Sequence, residues 1–177
     1  MGSGKTTVGL LLARQLAWRF DDLDAKIEQH AGLSVPAIFE RFGEPTFRQM
    51  ERELLDSLLR RAAESHDGVV LALGGGTYAQ PGMPALLRDR GALVVWLDCP
   101  VETLLARCIT MTNRPLFRDE WSFRALLASR VPFYEQADHR VTGGDEPAQV
   151  VGRILALPPF ARLPGVAQQF SSEREKS

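Results

Sequence analysis

The 177-residue sequence predicts an α/β fold: a mostly parallel sheet flanked by helices. Three observations predict it. Helix-period segments alternate with short apolar runs along most of the chain. Two of those runs, Val69 to Leu73 and Leu93 to Leu97, are apolar at every position, the mark of strands buried on both faces. The chain also opens Gly2-Ser3-Gly4-Lys5-Thr6-Thr7, the second half of a phosphate-binding loop.

Taken in order, Val8, Leu11, Leu12 and Leu16 recur at helical spacing behind the loop glycines, so Lys5 to Leu16 reads as a helix. Trp18 to Asp24 reads as a short strand running into a turn. Ala25 to His30 is a second helix that stops at Gly32. Ser34 is a fitting N-cap for a third, Val35 to Phe42, with Gly43 as its stop. Pro45 suits a first helical position, and from it to about Glu64 runs the longest helix, with Phe47, Met50, Leu54 and Leu58 on one side. The apolar strand from Val69 ends abruptly at Gly74-Gly75-Gly76. Pro84 to Arg90 suits a short helix, and the strand from Leu93 ends at Asp98. Pro100 opens a helix through about Cys108. Ile109 to Trp121 lacks periodicity and reads as a loop, after which Ser122 to Gln136 is helical. Arg140 to Thr142 is a short strand and Glu146 to Leu157 a last helix, broken by Pro158-Pro159. The polar residues 158–177 are expected to form a disordered tail on a single domain spanning 1–157.

Composition narrows the function classes. An apolar content of 45% is enough for a core in one domain of this length. With 21 basic and 22 acidic residues the net charge is −1, which argues against a nucleic-acid protein working by bulk electrostatics. Cys99 and Cys108 give neither a disulfide framework nor metal-ligand spacing, and read as packing thiols. No apolar run is long enough to span a bilayer. No secretory leader is legible at the start, so the cytoplasm is the expected compartment and a monomer the expected state.

Several groups carry chemistry. Backbone N–H groups of Gly2 to Thr7 would converge on phosphate oxygens, Lys5 would reach the β/γ-phosphates, and the Thr6 hydroxyl would hold Mg²⁺. Asp22 and Asp24 alternate, so an extended segment puts both carboxylates on one side; the bland alternative is a solvated strand end or an N-cap. Arg48 and Arg130 lie on helices, and each taken alone is an ordinary surface arginine, Arg48 paired with Glu44 or Glu51. The guanidinium fork nonetheless suits a carboxylate or a phosphate. Three consecutive glycines cost backbone entropy, so Gly74, Gly75 and Gly76 point to close approach of backbone and ligand. Arg114, in the unpatterned loop, could close over phosphates as part of a lid at about 109–121; taken alone it is equally well a solvated loop arginine. His30, His66 and His139 are isolated surface residues, and Trp18, Trp96 and Trp121 are packing groups.

Together these pieces resemble shikimate kinase, in order, over about residues 2 to 156. The phosphate loop is Gly2 to Thr7, and the D-x-D is Asp22-Leu23-Asp24. The G-E-x-x-F-R-x-x-E stretch is Gly43 to Glu51, and the glycine triplet is Gly74 to Gly76. The R-P-L is Arg114 to Leu116, and the R-x-P-x-Y is Arg130 to Tyr134. Each is ordinary alone, whereas six in the correct order are specific. The resemblance implies a P-loop kinase fold and ATP- and Mg²⁺-dependent phosphorylation of the 3-hydroxyl of shikimate. By position, Asp24 holds and deprotonates the acceptor hydroxyl, Asp22 acts on Mg²⁺ through water, and Arg48 with Arg130 clamps the shikimate carboxylate. The glycines contact substrate hydroxyls, Arg114 is the lid arginine, and Arg107 stacks near adenine.

The pattern has two departures. Leu73 stands where the family usually has threonine before the glycines. The strand that leads into the phosphate loop, central to the family's sheet, precedes none of these residues, so the native protein is expected to begin roughly ten or more residues upstream. Two other readings use the same scaffold: a small-molecule kinase of the gluconate type, and a non-catalytic sensor that keeps the kinase shape. The arginine pair and the D-x-D disfavour the first; retention of Lys5, Thr6, Asp24 and Arg114 disfavours the second.

Overall fold

A computed structural model of the chain describes residues 2–65, 68–109 and 119–163. Gly4, in the left-handed conformation at φ 82°, opens helix α1 (Lys5–Leu16). Strand β1 (Arg19–Asp22) leads directly into helix α2 (Leu23–Ala31), which ends at left-handed Gly32. Helix α3 (Val35–Ser65) bends at Gly43. Strand β2 (Val69–Ala72), helix α4 (Met83–Asp89) and strand β3 (Val95–Asp98) follow. Helix α5 (Val101–Ile109), helix α6 (Glu120–Tyr134) and strand β4 (His139–Thr142) lead to helices α7 (Pro147–Leu155) and α8 (Pro158–Ala161).

Every strand pairing among the described residues is parallel, as the alternation of helix and strand predicts. β1 pairs with β2, Arg19 opposite Val69 and Asp22 opposite Ala72. β3 pairs with β4, Val95 opposite His139 and Asp98 opposite Thr142. The two pairs are not hydrogen-bonded to each other. A cavity of about 800 Å³ lies between β2 and β3 and is lined by both strands from end to end.

Helices cover both faces. On one, α1, α7 and α8 form a core around Val8, Leu12, Val151 and Phe160, which Val70, Val95 and Leu97 join from the strands. On the other, α2, α3 and α4 pack Leu23, Ile27, Ile38, Leu55 and Met83, joined by Leu71, Leu73 and Val94. The switch of face between Val70 and Leu71 is the strand's two-residue period. Leu23, Ile38, Leu55 and Met83 are wholly buried, each contributing about 1.5–3 kcal/mol to this second core. Gly9 lets α1 sit tight on the sheet: a Cβ there would lie 2.8 Å from the Phe20 ring.

The structure moves several expected boundaries. α2 begins at Leu23, so Asp24 sits in a helical first turn rather than on an extended segment with Asp22. The reason is local: Asp22 accepts from the backbone N–H groups of Asp24 and Ala25 and starts the helix early. Likewise Asp119 caps α6 through the N–H of Ser122, so the helix includes Trp121 instead of starting after it. The first strand starts one residue later than read, and β3 runs Val95–Asp98 rather than from Leu93. Along α3 the buried row is Phe47, Glu51, Leu55 and Leu59, one position on from the expected Met50, Leu54 and Leu58, which are partly buried. Pro158-Pro159 does not end the ordered chain; the prolines start α8, and Phe160 packs against Trp18. His66 and the residues from 164 onward lie outside the described residues.

Candidate active site

The chemistry-bearing residues gather where α1, β1 and β2 come together. Gly2 and Gly4 both take left-handed backbone, at φ 70° and 82°, and Gly4 caps α1 with no side chain in the way. A helix start of this kind presents backbone N–H groups to an anion. Lys5 Nζ reaches Ser3 Oγ at 3.5 Å. The Thr6 hydroxyl donates to Asp22 Oδ2 at 2.7 Å, and the other oxygen of Asp22 accepts from the Asp24 N–H at 3.1 Å. One carboxylate thus ties the phosphate loop to the start of α2. Arg107 braces the loop from behind, donating to the Gly2 carbonyl at 3.2 Å and to Gly144 at 3.0 Å. Cys99 lies 3.7 Å from the Ser3 carbonyl, and burial pushes its pKa up, which keeps it a packing thiol.

The second half of the site forms around the glycine triplet. A Cβ on Gly74 would lie 2.8 Å from Asp24 Oδ1 and 3.0 Å from the Thr77 hydroxyl. A Cβ on Gly76 would lie 2.7 Å from Arg48 Nη2 and 3.1 Å from Arg130 Nη2. The turn is glycine because carboxylate and guanidinium groups crowd its backbone. Asp24, Arg48 and Arg130 therefore meet on one turn although they come from α2, α3 and α6.

Arg48 carries two acidic partners. It donates to Glu51 Oε2 at 2.9 Å and to Glu44 Oε1 at 3.0 Å. Burial works against its charge, but the bonds and charges of Glu51 and Glu44 outweigh it, and its pKa is raised. The partners differ. Glu51 is 1% exposed and also accepts from Thr77 Oγ1 at 2.5 Å and Gln80 Nε2 at 2.5 Å. The Glu44 side chain is 57% exposed. Exposed pairs are worth about 0–1 kcal/mol, so Glu44 is readily displaced by an incoming anion, whereas breaking a buried pair strands a charge. Arg130 is buried on α6, and four residues on the Tyr134 hydroxyl donates to the Gly75 carbonyl at 2.5 Å.

Sequence reasoning placed Asp22, Asp24, Arg48, Arg130 and the glycines, and the structure gathers them. It missed what holds them: Glu51 as the buried hub, Thr77 and Gln80 as its donors, and Tyr134 as the tie to Gly75. Glu51 left a signal, a carboxylate in the apolar row between Phe47 and Leu55. Thr77 and Gln80 left none. Arg114 and nearly all of the expected lid lie outside the described residues. Among the described residues no group of three or more His, Cys, Asp or Glu is arranged to hold a metal ion, and no helix is long and apolar enough to cross a membrane.

Comparison with known proteins adds independent information. The family model for shikimate kinase matches residues 1–157. The shikimate kinase of Synechococcus sp. (strain RCC307) is 42% identical over 174 residues, covering 95% of this chain and 86% of that protein. That of Salinibacter ruber is 41% identical, covering 89% of this chain and 80% of that protein. Among solved structures, shikimate kinase from Acinetobacter baumannii in complex with shikimate superposes with a TM-score of 0.82 at 38% identity, covering 92% of this chain and 90% of that one. Shikimate kinase from Aquifex aeolicus gives 0.76 at 36% identity, covering 93% and 95%.

Proposed function

The chain belongs to the shikimate kinase family, and on that premise we propose that it transfers the γ-phosphoryl group of ATP to the 3-hydroxyl of shikimate, releasing ADP. The observation that carries this reading is the convergence of Arg48, Arg130 and Asp24 on one glycine turn. Two guanidinium groups beside Gly76 suit a small carboxylate, which accepts parallel hydrogen bonds from each fork. With the acid anchored there, Asp24 beside Gly74 is placed to accept a proton from a ring hydroxyl. Backbone at Gly75 and Gly76 leaves room for the ring to lie against the turn.

The phosphate half of the site supplies charge rather than bonds, as phosphoryl transfer demands. Gly2 to Thr7 would cradle the phosphates, with Lys5 and Arg114 offsetting charge on the transferred group. Arg107 lies against the loop, where an adenine contact is consistent with its position. Mg²⁺ fits the donor set: it takes oxygen ligands, keeps several waters and needs few protein groups, and Thr6 and Asp22 offer two oxygens 2.7 Å apart. Bound there, the ion would neutralise phosphate charge. Asp22 orients the Thr6 hydroxyl and, through the Asp24 N–H, holds the acceptor carboxylate in register with the loop.

A coupled ADP-release assay with shikimate and gluconate tests the reading. Release is expected with shikimate only. Asp24→Asn should lower turnover by about two to four orders of magnitude with little change in substrate affinity. Near-normal turnover in that variant would remove Asp24 from its role. Binding of shikimate with no turnover in the unaltered chain would favour a sensor instead.

A further inference from the structure

On the reading of Arg48 as an anchor for the shikimate carboxylate, we propose that Thr77 is a positioning residue for that anchor. Its hydroxyl fixes Glu51, Glu51 fixes Arg48, and the preference for a free acid is thereby set by a side chain that is itself wholly buried. Thr77 makes two bonds at once. Its backbone N–H donates to the Gly74 carbonyl at 3.0 Å, which closes the glycine turn across Gly75 and Gly76. Its hydroxyl donates to Glu51 Oε1 at 2.5 Å. One residue thus ties the backbone against which the ring would lie to the carboxylate that holds the acid-binding arginine.

The hydroxyl matters because the last torsion of a glutamate is soft and roughly twofold, so the donors around a carboxylate decide its orientation. Around Glu51 those donors are divided. Arg48 Nη1, at 2.9 Å, and Gln80 Nε2, at 2.5 Å, share Oε2, while Thr77 takes Oε1. Glu51 is 1% exposed, so bulk water has little access to replace a lost donor. A carboxylate released at Oε1 turns toward another partner, and Oε2 leaves the line of Arg48 Nη1. Held at Nη1, the guanidinium keeps Nη2 beside Gly76, where Arg130 Nη2 also lies, and the two donors face a carboxylate together. Released, it is left to Glu44, whose exposed carboxylate takes both Nε and Nη2 and draws the group toward solvent. The bonds of the phosphate loop run to Asp22 and Arg107 instead, so nucleotide binding is spared.

The test measures ADP release with shikimate and with its methyl ester in two variants. Thr77→Val keeps the size of the side chain and removes the hydroxyl; Thr77→Ser keeps the hydroxyl. Thr77→Val is expected to raise the shikimate KM about 10-fold, with the ATP KM unchanged within about twofold. Its kcat/KM for the ester should fall by no more than about twofold, so the preference for the acid shrinks several-fold. Thr77→Ser should recover the preference of the unaltered chain. Should the valine variant not fold, Thr77→Ala against Thr77→Ser supplies the same contrast. Added to Arg48→Ala, Thr77→Val should change the shikimate KM no further. A merely structural role would lower the thermal midpoint and cut acid and ester rates by the same factor; that result, or a valine variant that keeps its full preference, would overturn the proposal. An unaltered chain with no preference for the acid would overturn the reading of Arg48 itself, and the role of Thr77 with it.

Discussion

Arg130 shows how a single side chain divides between fold and function. It is buried, its guanidinium lies beside Gly76, and among the described residues no carboxylate forms an ion pair with it, whereas Arg48 holds Glu44 and Glu51. Its charge is then directed at the ligand more than at the protein. Arg130→Ala should therefore act on affinity: loss of a charge-assisted bond of about 1.5–3 kcal/mol raises the shikimate KM roughly 10- to 150-fold. Initial-rate kinetics would check it, and an unchanged KM would argue against the clamp. Tyr134 acts one step back. Burial raises its pKa above the usual 10, and nearby Arg130 only partly opposes this. The folded state thus favours the protonated phenol that donates to Gly75. Its contribution is fully present below about pH 10 and is lost as pH rises through the raised folded value. Tyr134→Phe should cost about 0.5–1.5 kcal/mol in urea unfolding at pH 8. The difference from the unaltered chain should shrink at pH 11.

At the scale of elements, the bend in α3 decides where Arg48 points. Gly43 has φ 77° and ψ 167°, a region open essentially to glycine alone. A Cβ there would meet only Pro45 Cδ, at 3.7 Å, so the cost of Gly43→Ala is conformational rather than steric. At about 1–3 kcal/mol, the thermal midpoint should fall by roughly 2–12 °C, readable by calorimetry. Elements were legible where one periodic pattern dominated: α1 matches the reading residue for residue, and Gly32 and Gly43 stop or bend helices as read. They were misread where a side chain overrode the pattern. Asp22 and Asp119 each capped a helix earlier than the apolar period begins, and Phe160 drew Pro158–Ala161 onto the core beside Trp18.

At the scale of the whole molecule, the site is assembled from segments far apart in sequence. Asp24, Arg48, Gly74 to Gly76 and Arg130 are spread over three helices and a strand end. Motif order made those residues visible, but their convergence required the sheet and its covering helices. In the buried network Glu51 was legible, but its donors Thr77 and Gln80 were not, because they lie 26 and 29 residues away and share no period with it. The central claim is that two arginines read a carboxylate so that one hydroxyl faces Asp24. The most direct test compares shikimate with its methyl ester in the ADP-release assay. The account predicts that esterification lowers kcat/KM by about 100-fold or more, in line with the loss of charge-assisted bonds to both arginines. It also predicts that Arg48→Ala and Arg130→Ala erase most of that preference. An ester turned over as efficiently as the free acid would contradict it.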